Sequence, residues 1–247
     1  MRRLPILLTV LLAPLAGPLA CGPKPTQEAT VAPEPDKSVE QSPADESADA
    51  PADEEVDAEA AAQAEREQQR QRAINSPPPA GLAAGLISDF ESGQAGSEFG
   101  AGWQKATDEM AGGASTVEYE VVSDGPDGSP NALHIRGTID EGSLPNAWAG
   151  AMFFPGDRFM EPANLITKPI LTFHARGDGP MMVMIFAEQK GTTPAKTTVE
   201  IGEDWGRYEV DLRTLVEEPY DVTAIFFGVP PRAGTWEQWL DDVRLKK

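Results

Sequence analysis

Cysteine occurs once in these 247 residues, at Cys21, so no disulfide can form within the chain. Aromatic residues are missing from the first 80 positions, and all five Trp, nine Phe and three Tyr come later. A segment without large apolar side chains cannot bury enough surface to offset its conformational entropy. The core must therefore come from residues 81–247, a length that suits one domain. Positive charge is also scarce, with 20 Lys and Arg against 40 Asp and Glu and a net charge of −20. No basic run is present to neutralise phosphates, which argues against a nucleic-acid partner. The same charge opposes anionic lipid, so membrane contact has to come from an anchor. The sequence also lacks a G-x-S-x-G elbow, an H-E-x-x-H pair, a P-loop and a dinucleotide glycine fingerprint. His134 and His174 lie far apart on predicted strands, and no catalytic residues are assigned.

Residues 1–20 read as a secretory signal. Arg2 and Arg3 precede an apolar run from Leu4 to Leu19 that is broken by Pro5, Pro14 and Pro18, too short and too interrupted to span a bilayer. The run ends Leu19-Ala20-Cys21-Gly22, which resembles the bacterial lipobox. That resemblance implies cleavage before Cys21, lipidation of its thiol and, with Gly22 in place of Asp, location at the outer membrane. The alternative is ordinary cleavage after Ala20, leaving a free thiol.

Residues 21–80 carry five basic and fourteen acidic side chains and are rich in Pro, Ala, Glu, Asp and Ser, which predicts a disordered acidic tether. Asp57–Ala73 is made of strong helix formers without an apolar stripe, so the expectation there is a solvated, fraying helix. Pro77, Pro78 and Pro79 end it.

Beyond Ala80, short apolar or alternating runs are separated by Gly, Pro, Asn and Asp. Val117, Tyr119 and Val121 alternate with Glu118 and Glu120; Leu133, Ile135 and Ile139 share an inward face against His134, Arg136 and Thr138. The runs 170–176 and 181–187 are almost continuously apolar, as central strands are. Roughly nine or ten strands with no helical period predict an all-β, jelly-roll β-sandwich over 81–247.

Several pieces in order also resemble the complex I intermediate-associated protein 30 family. They are LISDFESG from Leu86, Trp103 followed by TDEMAGGAS, WAGAMFFPG from Trp148, HARGDG from His174, and WLDDVRL from Trp239. Met181 and Met182 stand where the family has a Tyr, and the family's Met-Gly-Gly is here Met110-Ala111-Gly112-Gly113. The resemblance implies a galactose-binding-like sandwich and a role in protein interaction or assembly. The fold by itself also suits a carbohydrate-binding module for an envelope or extracellular glycan.

Resemblance to calcium-holding sandwich modules, which open on an F-E turn and close on I-D-D-V, implies Glu91 and Asp241 as ligands of a structural calcium. Strand parity adds that Asp241 shares a face with Trp239, Val243 and Leu245, and an inward carboxylate needs a cation or several donors. The alternative is that Asp241 accepts backbone or Arg hydrogen bonds. Trp103 and Trp205 are expected in the core. Trp148 and Trp236, beside small and turn residues, are candidate ligand contacts, as are Arg176 and Asp178 in the R-G-D-G turn; Trp239 is a further aromatic to test.

Overall fold

The computed structural model describes residues 52–142, 144 and 146–247. The predicted signal, Cys21 and the first part of the predicted tether lie outside the described residues. Eleven strands form two antiparallel sheets: β1 (Leu86–Ser88), β2 (Gly102–Thr107), β3 (Thr116–Val122), β4 (Ala132–Ile139), β5 (Ala149–Phe154), β6 (Ile170–Gly177), β7 (Met181–Ala187), β8 (Ala195–Val199), β9 (Gly206–Asp211), β10 (Val222–Gly228) and β11 (Gly234–Lys246). One sheet runs β3-β4-β11-β6-β9, with β1 beside β11; the other runs β2-β5-β10-β7-β8. The two pack face to face as a β-sandwich.

Alternation places the core where the sequence predicts it. Leu133, Ile135 and Ile139 of β4 are buried, as are Leu171 and Phe173 of β6. Trp103 meets Phe153 and Phe227 with ring centroids 5.5 and 5.8 Å apart, and Phe173 stands edge-on to Phe227 at 5.4 Å. The Trp103 indole N–H donates to Ser88 Oγ at 2.8 Å, so its one polar atom is paired inside the core.

Three sequence expectations are corrected. The helix expected over Asp57–Ala73 is present as α1 (Ala52–Ile74, 23 residues), but it starts earlier and its end is not left to solvent. Its last turns engage the sandwich, with Arg70 paired to Glu218 at 2.8 Å and the Asn164 amide donating to the carbonyls of Ile74 and Ser76 at 2.8 and 2.9 Å. A helix leaves its final carbonyls unpaired, and here a residue some ninety positions away satisfies them. Trp205 lies outside the interior, half-buried beneath the Arg176 guanidinium at 5.5 Å. Trp239 does not share the inward face of Val243 and Leu245. Trp236, Gln238 and Leu240 point inward, the β6 register shifts between Asp241 and Arg244, and Asp242 takes a left-handed φ of 46°. This bulge reverses the parity, so Asp241, opposite His174, lies on the outer side with Trp239.

Candidate functional site

The outer surfaces of the two sheets differ in how their aromatic residues are used. On the β3-β4-β11-β6-β9 sheet, Trp239 is enclosed by its own neighbours. The His134 ring stacks on it at 4.3 Å and 8°, and the Arg176 guanidinium lies 4.3 Å from its centroid. His134 Nε2 is 3.1 Å from Glu237 Oε2, Arg136 pairs with Glu120 at 2.7 Å, and Arg176 pairs with Asp124.

The β2-β5-β10-β7-β8 sheet is apolar on its outer face as well as its inner one. Met152 and Phe154 of β5, Met182 and Met184 of β7 and Ala224 and Phe226 of β10 form a second cluster, against which Trp148 and Phe186 pack. The arrangement depends on missing side chains. Gly150 and Gly228 are directly paired across β5 and β10, and a Cβ on either would overlap the Phe226 ring. The two glycines therefore leave the space that this ring occupies. Trp148 stands perpendicular to Phe226 at 5.5 Å. It lines a cleft of about 340 Å³ with Met182, Met184 and Phe186 on its apolar side and Asn146, Thr192, Thr193 and Lys196 among its polar residues. Register places Lys196 beside Met184, and Met184 beside the buried Phe226. No carboxylate lines this cleft, whereas each of the other described hollows carries at least one.

The four predicted ligand contacts are therefore dispersed. Trp148 lies in the cleft. Arg176 is on the other sheet, held by Trp239 and Asp124. Trp236 is corrected from an open residue to a buried one, 4% exposed and part of the main core. Exposed Asp178 lies with it beside a narrow hollow of about 40 Å³ that Pro180, Val229, Pro230 and Arg232 also line. Sequence reading missed Met182 and Met184 as floor residues, and the fully buried Phe226 as the ring that backs Trp148. The available signal was Gly150 and Gly228 inside otherwise apolar runs.

The predicted cation residues, by contrast, do come together. Glu91 and Asp241 line one hollow with Asp89, Asp127, Ser129, His174 and Asp242. Asp241 is fully buried, and neither carboxylate oxygen has a hydrogen-bond partner. The Ser129 hydroxyl, with one proton to give, lies 2.6 Å from Glu91 Oε1. Burial raises the Asp241 pKa to about 6. Oxygen donors of this type suit a hard cation. Among the described residues, however, no three His, Cys, Asp or Glu side chains converge as a metal-binding group.

No family model matches the chain, so membership of the complex I intermediate-associated protein 30 family is not supported, and no curated protein matches it significantly. Solved structures with similar sandwiches include the family 11 carbohydrate-binding module of the cellulosomal cellulase Lic26A-Cel5E of Clostridium thermocellum. It is 11% identical over 65% of this chain and 92% of that one, with a TM-score of 0.46. The family 30 module of cellulase Cel9D-Cel44B from the same organism is 16% identical over 55% and 91%, with a TM-score of 0.41. TmCBM61 in complex with β-1,4-galactotriose is 17% identical over 70% and 99%, with a TM-score of 0.36. At these identities and scores the likeness does not extend beyond the sandwich.

Proposed function

We propose that the domain is a non-catalytic glycan-binding module whose ligand lies in the cleft beside Trp148. The cleft itself carries this reading: an indole, an apolar floor and a polar rim occupy the outer face of one sheet. Sugar rings present apolar C–H faces edged by hydroxyls. An aromatic wall and the thioethers of Met182 and Met184 suit the faces, while Asn146, Thr192, Thr193 and Lys196 suit the hydroxyls. No observation favours the protein-assembly role that the sequence resemblance implied. A glycan array on the full chain tests the proposal, followed by calorimetry on the strongest hits; β-1,4-galactotriose and mannohexaose, named for two of the similar structures, are first probes. Saturable binding that Trp148→Ala weakens at least thirtyfold supports it. Binding by no glycan, or equal binding by the Trp148→Ala variant, overturns it.

Two sequence expectations belong to the same proposal. The chain is exported and anchored by a lipid on Cys21, so Cys21→Ser should move it from the membrane to the soluble fraction; unchanged fractionation contradicts the anchor. A calcium ion would be held by Asp241 and Glu91, and it would supply the positive charge that both unpartnered Asp241 oxygens lack. It would thereby join the turn after β1 to the bulge in β11.

A further inference from the structure

The sequence TDEMAGGAS, which follows β2, has no part in the cleft as described so far, yet its first carboxylate is fully buried. Asp108 begins a single 3-10 turn, Asp108–Ala111, capped at its start by Thr107 and at its end by Gly112, whose φ is 85°. The side chain is turned away from solvent and accepts three hydrogen bonds. Oδ1 takes the Ser115 N–H at 3.1 Å; Oδ2 takes the Ser115 hydroxyl at 2.7 Å and the Trp148 N–H at 3.0 Å. The Asp108 N–H in turn donates to the Trp148 carbonyl at 3.1 Å, so both peptide groups of Trp148 are tied to this one residue. Ser115 Oγ also accepts the Asp140 N–H at 3.1 Å, which brings the end of β4 into the same network.

The glycine pair fits this arrangement. Gly112 takes the left-handed conformation that ends the turn. Gly113 is required for a different reason: a Cβ there would overlap the Asp108 carboxyl group itself. The motif therefore spaces a carboxylate, a left-handed glycine, a glycine without steric bulk and a serine so that one buried anion is enclosed by donors. Charge-assisted hydrogen bonds of this kind are roughly twice as strong as neutral ones, and burial makes an unmade one costly.

We infer that Asp108 is the positioning residue of the ligand site, fixing the backbone of Trp148 and so the place of its indole over the cleft. The inference rests on the glycan-binding reading of that cleft. Trp148 is the residue immediately before β5, at the end of the connection from β4, so the sheet alone does not hold it. Asp108 supplies the missing constraint from the end of β2, the strand beside β5. A ring held in place before the ligand arrives avoids the ordering cost that a mobile side chain incurs on binding.

The test uses the full chain labelled with 5-fluorotryptophan, whose five fluorine resonances separate the indoles; Trp148→Phe assigns the one of interest. In Asp108→Asn the side-chain shape is kept, but an amide group faces donors. The Trp148 resonance should shift or broaden while the other four hold, and affinity for the best array glycan should fall about tenfold at a temperature where the far-ultraviolet circular dichroism is unchanged. Gly113→Ala should reproduce both effects without altering any hydrogen-bonding group, which keeps the test available if Asp108→Asn does not fold. An unmoved Trp148 resonance in a folded variant overturns the inference, as does a uniform shift of all five. The fluorine readout needs no ligand. If the wild type binds no glycan, the functional reading fails, and the resonances still decide whether Asp108 positions Trp148.

Discussion

Each outer sheet face carries a tryptophan, and the two faces put it to opposite use. On one, Trp239 has His134 against one neighbour position and Arg176 against another, and both partners are themselves paired to carboxylates. Its π surface is spent inside the molecule. On the other, Trp148 meets Phe226 at a right angle and lines a cleft without carboxylates. An aromatic residue in a sandwich is thus left open to a cleft or enclosed by its neighbours, and burial alone does not separate the two.

The largest effect is expected at the floor of the cleft. Gly228→Ala would drive a methyl group into the Ala149 carbonyl and the Phe226 ring. A loss of about 2–3 kcal/mol of stability should follow, together with loss of binding, since β10 or the ring must move. Denaturant titration measures the first and calorimetry the second. Wild-type values for both would mean that the glycine pair does not shape the face.

At the hollow proposed for calcium, the pH dependence carries the sign. The folded pKa of Asp241, about 6, is above that of the unfolded chain, so the folded state binds the proton more tightly. In calcium-free buffer the contribution is full below about pH 4 and is lost as pH rises through about 6, by up to roughly 3 kcal/mol. Asp241→Asn should flatten that slope and stabilise the metal-free chain at pH 7.5. Calcium should raise the melting temperature of the wild type at pH 7.5 and leave the variant unchanged. A wild type insensitive to both pH over this interval and calcium would leave Asp241 without the role proposed.

The smallest of these effects belongs to the enclosed face. Arg176→Ala removes the cation over Trp239 and the pair with Asp124. The expected cost is about 1 kcal/mol of stability, with glycan affinity unchanged within twofold. A large loss of affinity would transfer function to this sheet.

Much of the sandwich was legible in the sequence because its strands obey a period of two. Leu133, Ile135 and Ile139 fall inward as their spacing requires, and the continuous runs became β6 and β7, interior strands of their sheets. Legibility failed where a single residue changes the count. The bulge at Asp241–Asp242 reverses parity within β11, which is why Trp239 was placed on the face of Val243 and Leu245. It also failed where the partner is remote: the capping of α1 by Asn164 leaves no local trace. At the candidate site, Trp148 could be singled out by its small neighbours. The floor was harder to read, because Met182 and Met184 sit in a run that would read the same with a loop packed across it, and only Gly150 and Gly228 hint at the ring of Phe226 beneath. Glu91 and Asp241 were brought together as expected, since the turn after β1 meets the bulge in β11 beside it.

The most direct measurement is a paired calorimetric titration of Trp148→Ala and Trp239→Ala with the strongest array glycan. Trp148→Ala should lose at least thirtyfold in affinity and keep a cooperative melt; Trp239→Ala should bind within twofold of wild type and melt at a lower temperature. Retained affinity in Trp148→Ala, with the loss falling on Trp239→Ala, would contradict the assignment of the ligand to the cleft.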